Sequence, residues 1–185
     1  DSTSNVRGAT FITATGGTPC AGATDGDYKV HTFTGPGTLC VSAVGCAAGS
    51  TTIDYMVVAG GGGGGGGCGG GGGGGAGGMR YSYPNPGTGG HPVSVQGYPI
   101  TIGAGGAKGA GYPTATCGTQ GASSVFDSIT SAGGGFGGKG EGGTSPGGSG
   151  GSGGGGGRGG CAGAGNTPAA PVPLGGPQGN SGGTS

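Results

Sequence analysis

The fold of this chain is decided by one stretch, Val57-Val58-Ala59 followed by GGGGGGGGCGGGGGGGAGG at residues 60–78. An apolar, strand-like start leads into a run that is glycine apart from Cys68 and Ala76. Ordering a glycine backbone costs about 1 to 2 kcal/mol per residue, whereas an intramolecular hydrogen bond returns roughly 1 kcal/mol. A single run of this kind therefore stays disordered unless other segments pack against it.

The composition shows that the whole chain, and not only this run, has a glycine-rich backbone that is costly to order. Of 185 residues, 63 are glycine, while Leu, Ile, Val and Phe together number only 21. That is about 11% of the chain, and an ordinary globular core needs roughly 20%. Charged residues make up 6% and the formal net charge is +0, which matches neither a self-repelling disordered tail nor a basic nucleic-acid binder. We expect the backbone, rather than a large side-chain core, to hold much of this protein together.

Packed helices of the polyglycine II type would meet that requirement. Such helices have three residues per turn, rise about 3.1 Å per residue and make no internal hydrogen bonds. Without side chains, neighbouring helices can satisfy one another's backbone groups. A tract of roughly 15 residues would form a rod about 45 Å long.

Two other glycine-rich architectures fit less well. Collagen needs glycine at every third position with proline-rich positions between, whereas these runs are continuous. An ice-binding bundle of the springtail type follows a Gly-x-x rhythm that we do not find in these tracts.

Short β-strands are predicted wherever glycine thins out. The segments YKVHTFT (28–34) and TLCVSAV (38–44) flank a Gly-Pro-Gly turn and predict a hairpin, and TTIDYMVVA (51–59) alternates like a single strand. Further strands are predicted in residues 6–16, 91–103 and 123–133. Since no segment has extended helical periodicity, the predicted fold class is all-β with polyglycine II helices. It combines a short-strand scaffold with a packed glycine bundle and negligible α-helix.

The glycine content also suggests a domain organisation. Residues 1–27 form an amino-terminal strand segment, residues 28–165 the glycine-rich β/polyglycine II domain, and residues 166–185 an ordered Pro/Gly-rich tail.

Six cysteines predict disulfide bonds. An even number of cysteines in a chain with a small core fits an oxidising compartment, where each disulfide contributes roughly 2 to 4 kcal/mol. Cys68 and Cys161 lie inside glycine tracts, so a bond between two tracts is their expected use. The chain begins at Asp1, which we interpret as the product of signal-sequence removal. The disulfide candidates, whose pairing stays open, are Cys20, Cys40, Cys46, Cys68, Cys117 and Cys161.

Four motifs carry a resemblance to a known family. They are HTFTGPGTLCV (31–41), IDYMVVAGGGGGG (53–65), YPITIGAGG (98–106) and SSVFDSITSAGGGFGG (123–138). In order and composition, residues 28–165 resemble the glycine-rich domains of bacteriophage tail-fibre and tail-appendage adhesins.

The resemblance implies a polyglycine II sandwich on a β scaffold, with variable distal loops that contact a host receptor. Loops in corresponding positions would be residues 79–91, 111–118 and 139–146. Their groups suited to stacking on a sugar or protein surface are Arg80, Tyr81, Tyr83 and Tyr112. Alternatively, the tyrosines only cover the ends of the lattice.

The chain departs from that family in its six cysteines, its missing initiator methionine and its additional amino-terminal strand. These features suit a secreted protein whose strand completes a neighbour's sheet, as in many extracellular polymers. The candidate intersubunit strand contains Val6, Phe11 and Ile12.

Catalysis is not expected, because six acidic residues and two histidines offer few convergent titratable groups. The pair Asp25 and Asp27 is more typical of a turn than of a calcium site, which needs six or more oxygens. Gly-x-Gly-x-x-Gly matches arise from composition, and Arg158 lies in a lone Arg-Gly-Gly motif, too little for RNA binding. We predict no cofactor, no metal, no nucleic-acid partner and no membrane insertion.

These observations predict an extracellular, non-enzymatic structural protein. Its most favoured role is a self-assembling subunit of an extracellular fibril, held by a polyglycine II lattice, strand addition and disulfides. The alternative is a phage tail-fibre or secreted adhesin whose distal loops bind a surface receptor or glycan. The expected location is accordingly extracellular or on a virion surface.

Overall fold

The computed structural model describes residues 10–46, 50–82, 90–169 and 177–185. Every regular element in these ranges is a β-strand, which confirms the predicted all-β class. Within the same ranges, no helix is long and apolar enough to cross a membrane. The strands are β1 (Thr13–Thr15), β2 (Ala23–Asp25), β3 (Tyr28–Val30), β4 (Gly37–Ala43), β5 (Thr52–Ile53), β6 (Met56–Val58), β7 (Met79–Tyr81), β8 (His91–Pro92), β9 (Gly97–Thr101), β10 (Ser124–Phe126) and β11 (Ile129–Ser131).

A five-stranded antiparallel sheet in the order β1-β4-β9-β10-β11 forms the centre of the scaffold. Its longest strand, β4, places Leu39 opposite Tyr98 of β9. Three antiparallel ribbons, β2–β3, β5–β8 and β6–β7, accompany the sheet. The β6–β7 ribbon packs on β10 and β11, whereas β2–β3 packs against no other described strand.

The hydrophobic core is small and lies between the sheet and the β6–β7 ribbon. Alternation along β4 buries Leu39 and Val41 on one face, and Ile129 of β11 is fully buried. Burying an aliphatic or aromatic side chain of this size stabilises a fold by about 1.5 to 3 kcal/mol. The cluster consists of Leu39, Val41, Val57, Tyr98, Phe126 and Ile129.

Nine extended glycine-rich tracts within the described residues form a bundle on this scaffold, and they are defined by their mutual hydrogen bonds. They are tract 1 (59–67), tract 2 (71–78), tract 3 (103–111), tract 4 (115–122), tract 5 (132–140), tract 6 (145–150), tract 7 (151–157), tract 8 (160–166) and tract 9 (178–184).

Backbone hydrogen bonds join the tracts at every third residue. In tract 1, the N–H groups of residues 60, 63 and 66 donate to tract 4, while those of residues 62 and 65 donate to tract 2. The carbonyls of residues 60, 63 and 66 accept from tract 5. A three-residue period is expected of threefold extended helices, and polyglycine II is our interpretation of it.

Tracts 5 and 7 occupy the interior of the bundle. Each is hydrogen-bonded to five other tracts, and most of their residues are buried. A Cβ atom added at Gly137 of tract 5 would collide with the carbonyl oxygen of Gly72. Positions such as Gly137 therefore exclude every residue except glycine, because the backbones themselves are in contact there.

The glycine run at residues 60–78 is a hairpin of two antiparallel tracts and not the single rod that the sequence predicted. Gly62 N donates to Gly75 O, and Gly65 N donates to Gly72 O. The reversal uses a φ of 127° at Gly67 and 96° at Gly70, conformations open to glycine. Each tract is consequently about 25 Å long rather than 45 Å.

Two strand predictions were also wrong in detail. Residues 28–34 and 38–44 do not form a hairpin, because β3 pairs with β2 across a tight turn at Gly26 and Asp27. β4 pairs instead with β1 and β9. Residues 51–59 divide into β5 and β6, since the N–H of Tyr55 donates to the hydroxyl of Ser82.

Candidate interaction surfaces

Four turns meet at the end of the bundle farthest from the scaffold, which we call the distal tip. They are residues 67–70, 111–115, 140–144 and 157–160, and they lie together because tracts 1, 3, 5 and 7 all run away from the scaffold in hydrogen-bonded contact. Tyr112 is 75% exposed there. Two of the three predicted contact loops, residues 111–118 and 139–146, contribute to this tip.

Charge is distributed unequally between the two ends of the molecule. The tip side of the bundle holds Lys108, Lys139 and Arg158 against the single acid Glu141, a formal charge of +2. In the described part of the scaffold, Lys29 and Arg80 face four acids, a formal charge of −2; these acids are Asp25, Asp27, Asp54 and Asp127.

The third predicted contact loop, residues 79–91, begins at the opposite end of the molecule. Its first residues form β7, which belongs to the scaffold, and Tyr83 lies outside the described residues. Arg80, predicted to be exposed, is 3% exposed. Its Nη1 donates to the carbonyl of Thr130, because β7 packs this side chain against β11. Arg80 therefore does not belong to an exposed contact surface.

The outer face of the β6–β7 ribbon carries an apolar quartet. Met56 lies opposite Tyr81, and Val58 lies opposite Met79. These four side chains are between 41% and 71% exposed. They face outward because the intervening Val57 and Arg80 are buried on the inner face.

The predicted intersubunit strand pairs within its own chain. β1 lies antiparallel to β4 and forms one edge of the five-stranded sheet, so its outer edge has no described strand beside it. Phe11 is exposed, whereas Ile12 packs against the core. Val6 lies outside the described residues.

None of the six cysteines, all of which lie in the described residues, forms a disulfide bond, so the predicted disulfide framework is absent from this structure. Cys68 lies in the exposed turn between tracts 1 and 2, where its N–H donates to Oε1 of Glu141. Cys161 lies in tract 8, which shares no backbone hydrogen bond with tract 1 or tract 2 in the described residues. Within the described part of the chain, tract 8 is therefore not hydrogen-bonded to either of the tracts that flank Cys68. The other cysteines without a disulfide bond are Cys20, Cys40, Cys46 and Cys117.

Two titratable side chains, His91 and Asp127, meet at the rim of the core. The Nε2 atom of His91 lies 3.0 Å from Oδ2 of Asp127, and the His91 ring packs edge-on against Phe126. No described group of three or more His, Cys, Asp or Glu side chains could hold a metal ion. The geometry around His91 is that of a polar pair at the rim of the core.

Two core tyrosines have shifted pKa values. Burial raises the pKa of Tyr55, and the nearby charge of Arg80 partly offsets this. Hydrogen bonds with the hydroxyl and the backbone of Ser94 lower the pKa of Tyr98.

Hydroxyl groups complete the hydrogen bonding at the edges of the bundle. Thr119 Oγ1 accepts from Ala107 N at 2.7 Å, and Thr116 Oγ1 accepts from Ala110 N at 2.8 Å. Tract 3 is an outer tract, and these hydroxyls replace the neighbour that it lacks on one side. Sequence reasoning missed this role, although the Thr-x-x-Thr spacing signals it.

The same two tracts contain the Gly-x-x rhythm that sequence reasoning did not find. Gly103, Gly106 and Gly109 of tract 3 recur every third residue. A Cβ atom at any of them would collide with a carbonyl oxygen of tract 4. A glycine at every third residue therefore indicates a tract that packs against a neighbouring backbone on one side only.

Comparison with known proteins identifies the family. No curated protein and no solved structure matches the chain. The family model for the glycine-rich domain matches residues 34–185, which is most of the chain and includes β4 to β11 and all nine tracts. The chain therefore belongs to the glycine-rich domain family.

Proposed function

We propose that this protein is a non-enzymatic, extracellular structural protein that assembles with itself into a fibril. The apolar quartet of Met56, Val58, Met79 and Tyr81 carries this proposal. A contiguous patch of exposed apolar side chains is a common mark of a protein–protein contact surface. Here they lie on a ribbon whose inner face packs against β10 and β11.

Two further features support self-assembly. The outer edge of β1 offers a template for strand addition by another copy. The quartet lies on the β6–β7 ribbon, whereas this edge belongs to the five-stranded sheet, so the two surfaces can engage different neighbours. When two unlike surfaces of the same protein bind each other, the subunits form an open filament unless the rotation from one subunit to the next closes them into a ring.

Electron microscopy of the purified chain tests the proposal, together with sedimentation over a range of concentrations. Wild-type protein should form filaments, and Met56→Lys should abolish them because it places a charge in the contact. Val95→Lys is the matched control, since Val95 is also exposed but lies outside the quartet. Single particles at every concentration would contradict the fibril function.

The second candidate function is an adhesin of a phage tail or a secreted protein. The distal tip favours it, because an exposed Tyr112 at the end of the bundle that also holds Lys108 and Arg158 suits stacking and ionic contact with a surface glycan or receptor. In a cell-binding assay, Tyr112→Ala should lower binding while leaving any filaments intact. Isolated particles that lose cell binding with this substitution would favour the adhesin over the fibril.

A further inference from the structure

A groove of about 480 Å³ runs along the side of the bundle, between tracts 2 and 9 and above tract 7. Apart from Thr184, its lining residues are all glycine. The groove therefore presents almost only backbone atoms.

The groove coincides with a vacant position in the packing of the tracts. In a hexagonal arrangement of rods, an interior rod has six neighbours. Tract 7 is hydrogen-bonded to tracts 2, 5, 6, 8 and 9, and the groove lies where the sixth neighbour would be.

The carbonyls of tract 7 show which groups face this position. Carbonyls of residues 152 and 155 accept from tract 5, and those of residues 154 and 157 accept from tract 8. The threefold repeat leaves the carbonyls of Gly153 and Gly156 to face the groove. Neither accepts a hydrogen bond from the described residues.

The walls of the groove supply donors. The N–H groups of Gly73 and Gly183 donate no hydrogen bond within the described part of the chain. A Cβ atom added at Gly155, on the floor, would lie 3.3 Å from Gly73 N and 3.6 Å from Gly183 O. The groove thus combines acceptors on its floor with donors on both walls, at the spacing of the bundle.

We propose that this groove binds an extended, glycine-rich segment of another protein chain as a further tract. The segment would donate N–H groups at positions i and i+3 to Gly153 and Gly156, and would accept from Gly73 and Gly183. Its residues facing tract 7 must be glycine, because bare backbone fills this space everywhere else in the bundle. This ligand goes beyond the proposed function.

A second copy of this chain fits the groove less well than a foreign segment. Two of its outer tracts, tracts 3 and 9, carry side chains on their free sides, which would hold the backbones apart. On tract 3 these are Ala104, Ala107 and Ala110, and on tract 9 they are Asn180, Ser181 and Thr184.

The test is an NMR titration of the full ¹⁵N-labelled chain with an oligoglycine peptide carrying a lysine tail. We expect the amide signals of Gly73 and Gly183 to shift, with a dissociation constant of roughly 1 mM or tighter. An oligosarcosine peptide of equal length lacks N–H donors and should bind about tenfold more weakly or not at all. Absence of oligoglycine binding, or equal binding of both peptides, would overturn the proposal.

Variants locate the site. Gly155→Val fills the groove, and Gly73→Leu narrows its mouth at a position where an added Cβ meets no atom within 4 Å. Both should lower peptide affinity about tenfold. Gly105→Leu on exposed tract 3 is the matched control and should bind like wild type.

Unchanged affinity in Gly73→Leu would exclude this groove, even if Gly155→Val fails to fold. Self-association that Gly155→Val and Gly73→Leu abolish would place a second copy there and overturn the choice of a foreign chain. Filaments that persist in these variants would leave the fibril function standing, so the two proposals fail separately.

Discussion

The β scaffold and the glycine bundle exclude water from their interiors in opposite ways. In the scaffold, Leu39, Tyr98 and Ile129 fill the interior with side chains, and stability follows the apolar area buried, at roughly 25 cal/mol per Å². In the bundle, backbones contact one another directly, and stability comes from many hydrogen bonds worth about 1 kcal/mol each. A buried position therefore obeys different rules in each region. A smaller residue destabilises the interior of the scaffold, whereas a larger one destabilises the bundle wherever the backbones are in contact.

The largest effect that tests this contrast should come from Gly137→Ala. The added methyl group would collide with the carbonyl of Gly72 and break the hydrogen bonds that join Gly137 to Gly63 and Gly118. We expect a loss of roughly 3 to 5 kcal/mol from the free energy of unfolding. Urea unfolding followed by circular dichroism measures it.

Gly64→Ala is the matched control for that substitution. An added Cβ at Gly64 lies 3.6 Å from its nearest neighbour, Gly72 O, which is ordinary van der Waals contact. Stability should change little or rise by about 0.4 to 1 kcal/mol, because alanine restricts the unfolded chain. If both variants lost equal stability, close backbone packing would not explain the interior glycines.

A smaller effect is expected at the edge of the bundle, from Thr119→Val. The substitution keeps the shape of the side chain but removes the acceptor for Ala107 N–H. Because water can partly replace the lost bond at this exposed site, we expect a cost of about 0.5 to 1.5 kcal/mol. Amide hydrogen exchange at Ala107 should accelerate. Thr114→Val, whose hydroxyl has no hydrogen bond to the described residues, should leave both quantities unchanged.

The smallest effect is expected in the scaffold, from Tyr55→Phe. The buried Tyr55 hydroxyl has no hydrogen-bond partner among the described residues, so its removal should be neutral or stabilising by up to about 1 kcal/mol near pH 7. Its raised pKa means that the folded state holds the proton more tightly than the unfolded state. The stability from this group is therefore present below the ordinary pKa of 10.0 and is lost as the pH rises through the raised value.

Unfolding free energies measured at about pH 8 and about pH 11 check this sign. Tyr55→Phe should lose less stability between these conditions than wild type does. The lowered pKa of Tyr98 has the opposite effect. As the pH rises through this pKa, the folded state releases the proton more readily than the unfolded state and so gains relative stability. Tyr98→Phe should therefore steepen the alkaline loss, and an equal slope in all three proteins would contradict the assignment.

The sequence predicted the scaffold better than the bundle. Strands such as β4 and β9 combine β-branched or aromatic residues with low glycine content, and both were located. The reversal near Cys68 was not located. Glycine can form both the extended tract and the turn, so no change in sequence marks where a polyglycine run reverses. Pairing of β3 with β2 was missed because the turn at Gly26 and Asp27 competes locally with the one at Gly35–Gly37.

The candidate surfaces were predicted only in part. Tyr112 was assigned to an exposed loop from its turn-rich surroundings, and the structure places it at the distal tip. Arg80 was misjudged because a charged residue in a short strand is normally exposed, whereas the strict alternation of β7 forces it inward with Val57. The groove beside tract 7 could not be predicted, because it depends on which tracts become neighbours.

The separation of charge between the distal tip and the scaffold gives the described molecule an electric dipole along the tract axis. The two ends carry opposite formal charges of two units and are held roughly 25 Å apart by the tracts. Beside an anionic surface, the dipole turns the tip forward, and beside another copy it favours head-to-tail alignment. At physiological salt the screening length is about 8 Å. This orienting torque therefore acts only during final approach, and dilute buffer should extend its range.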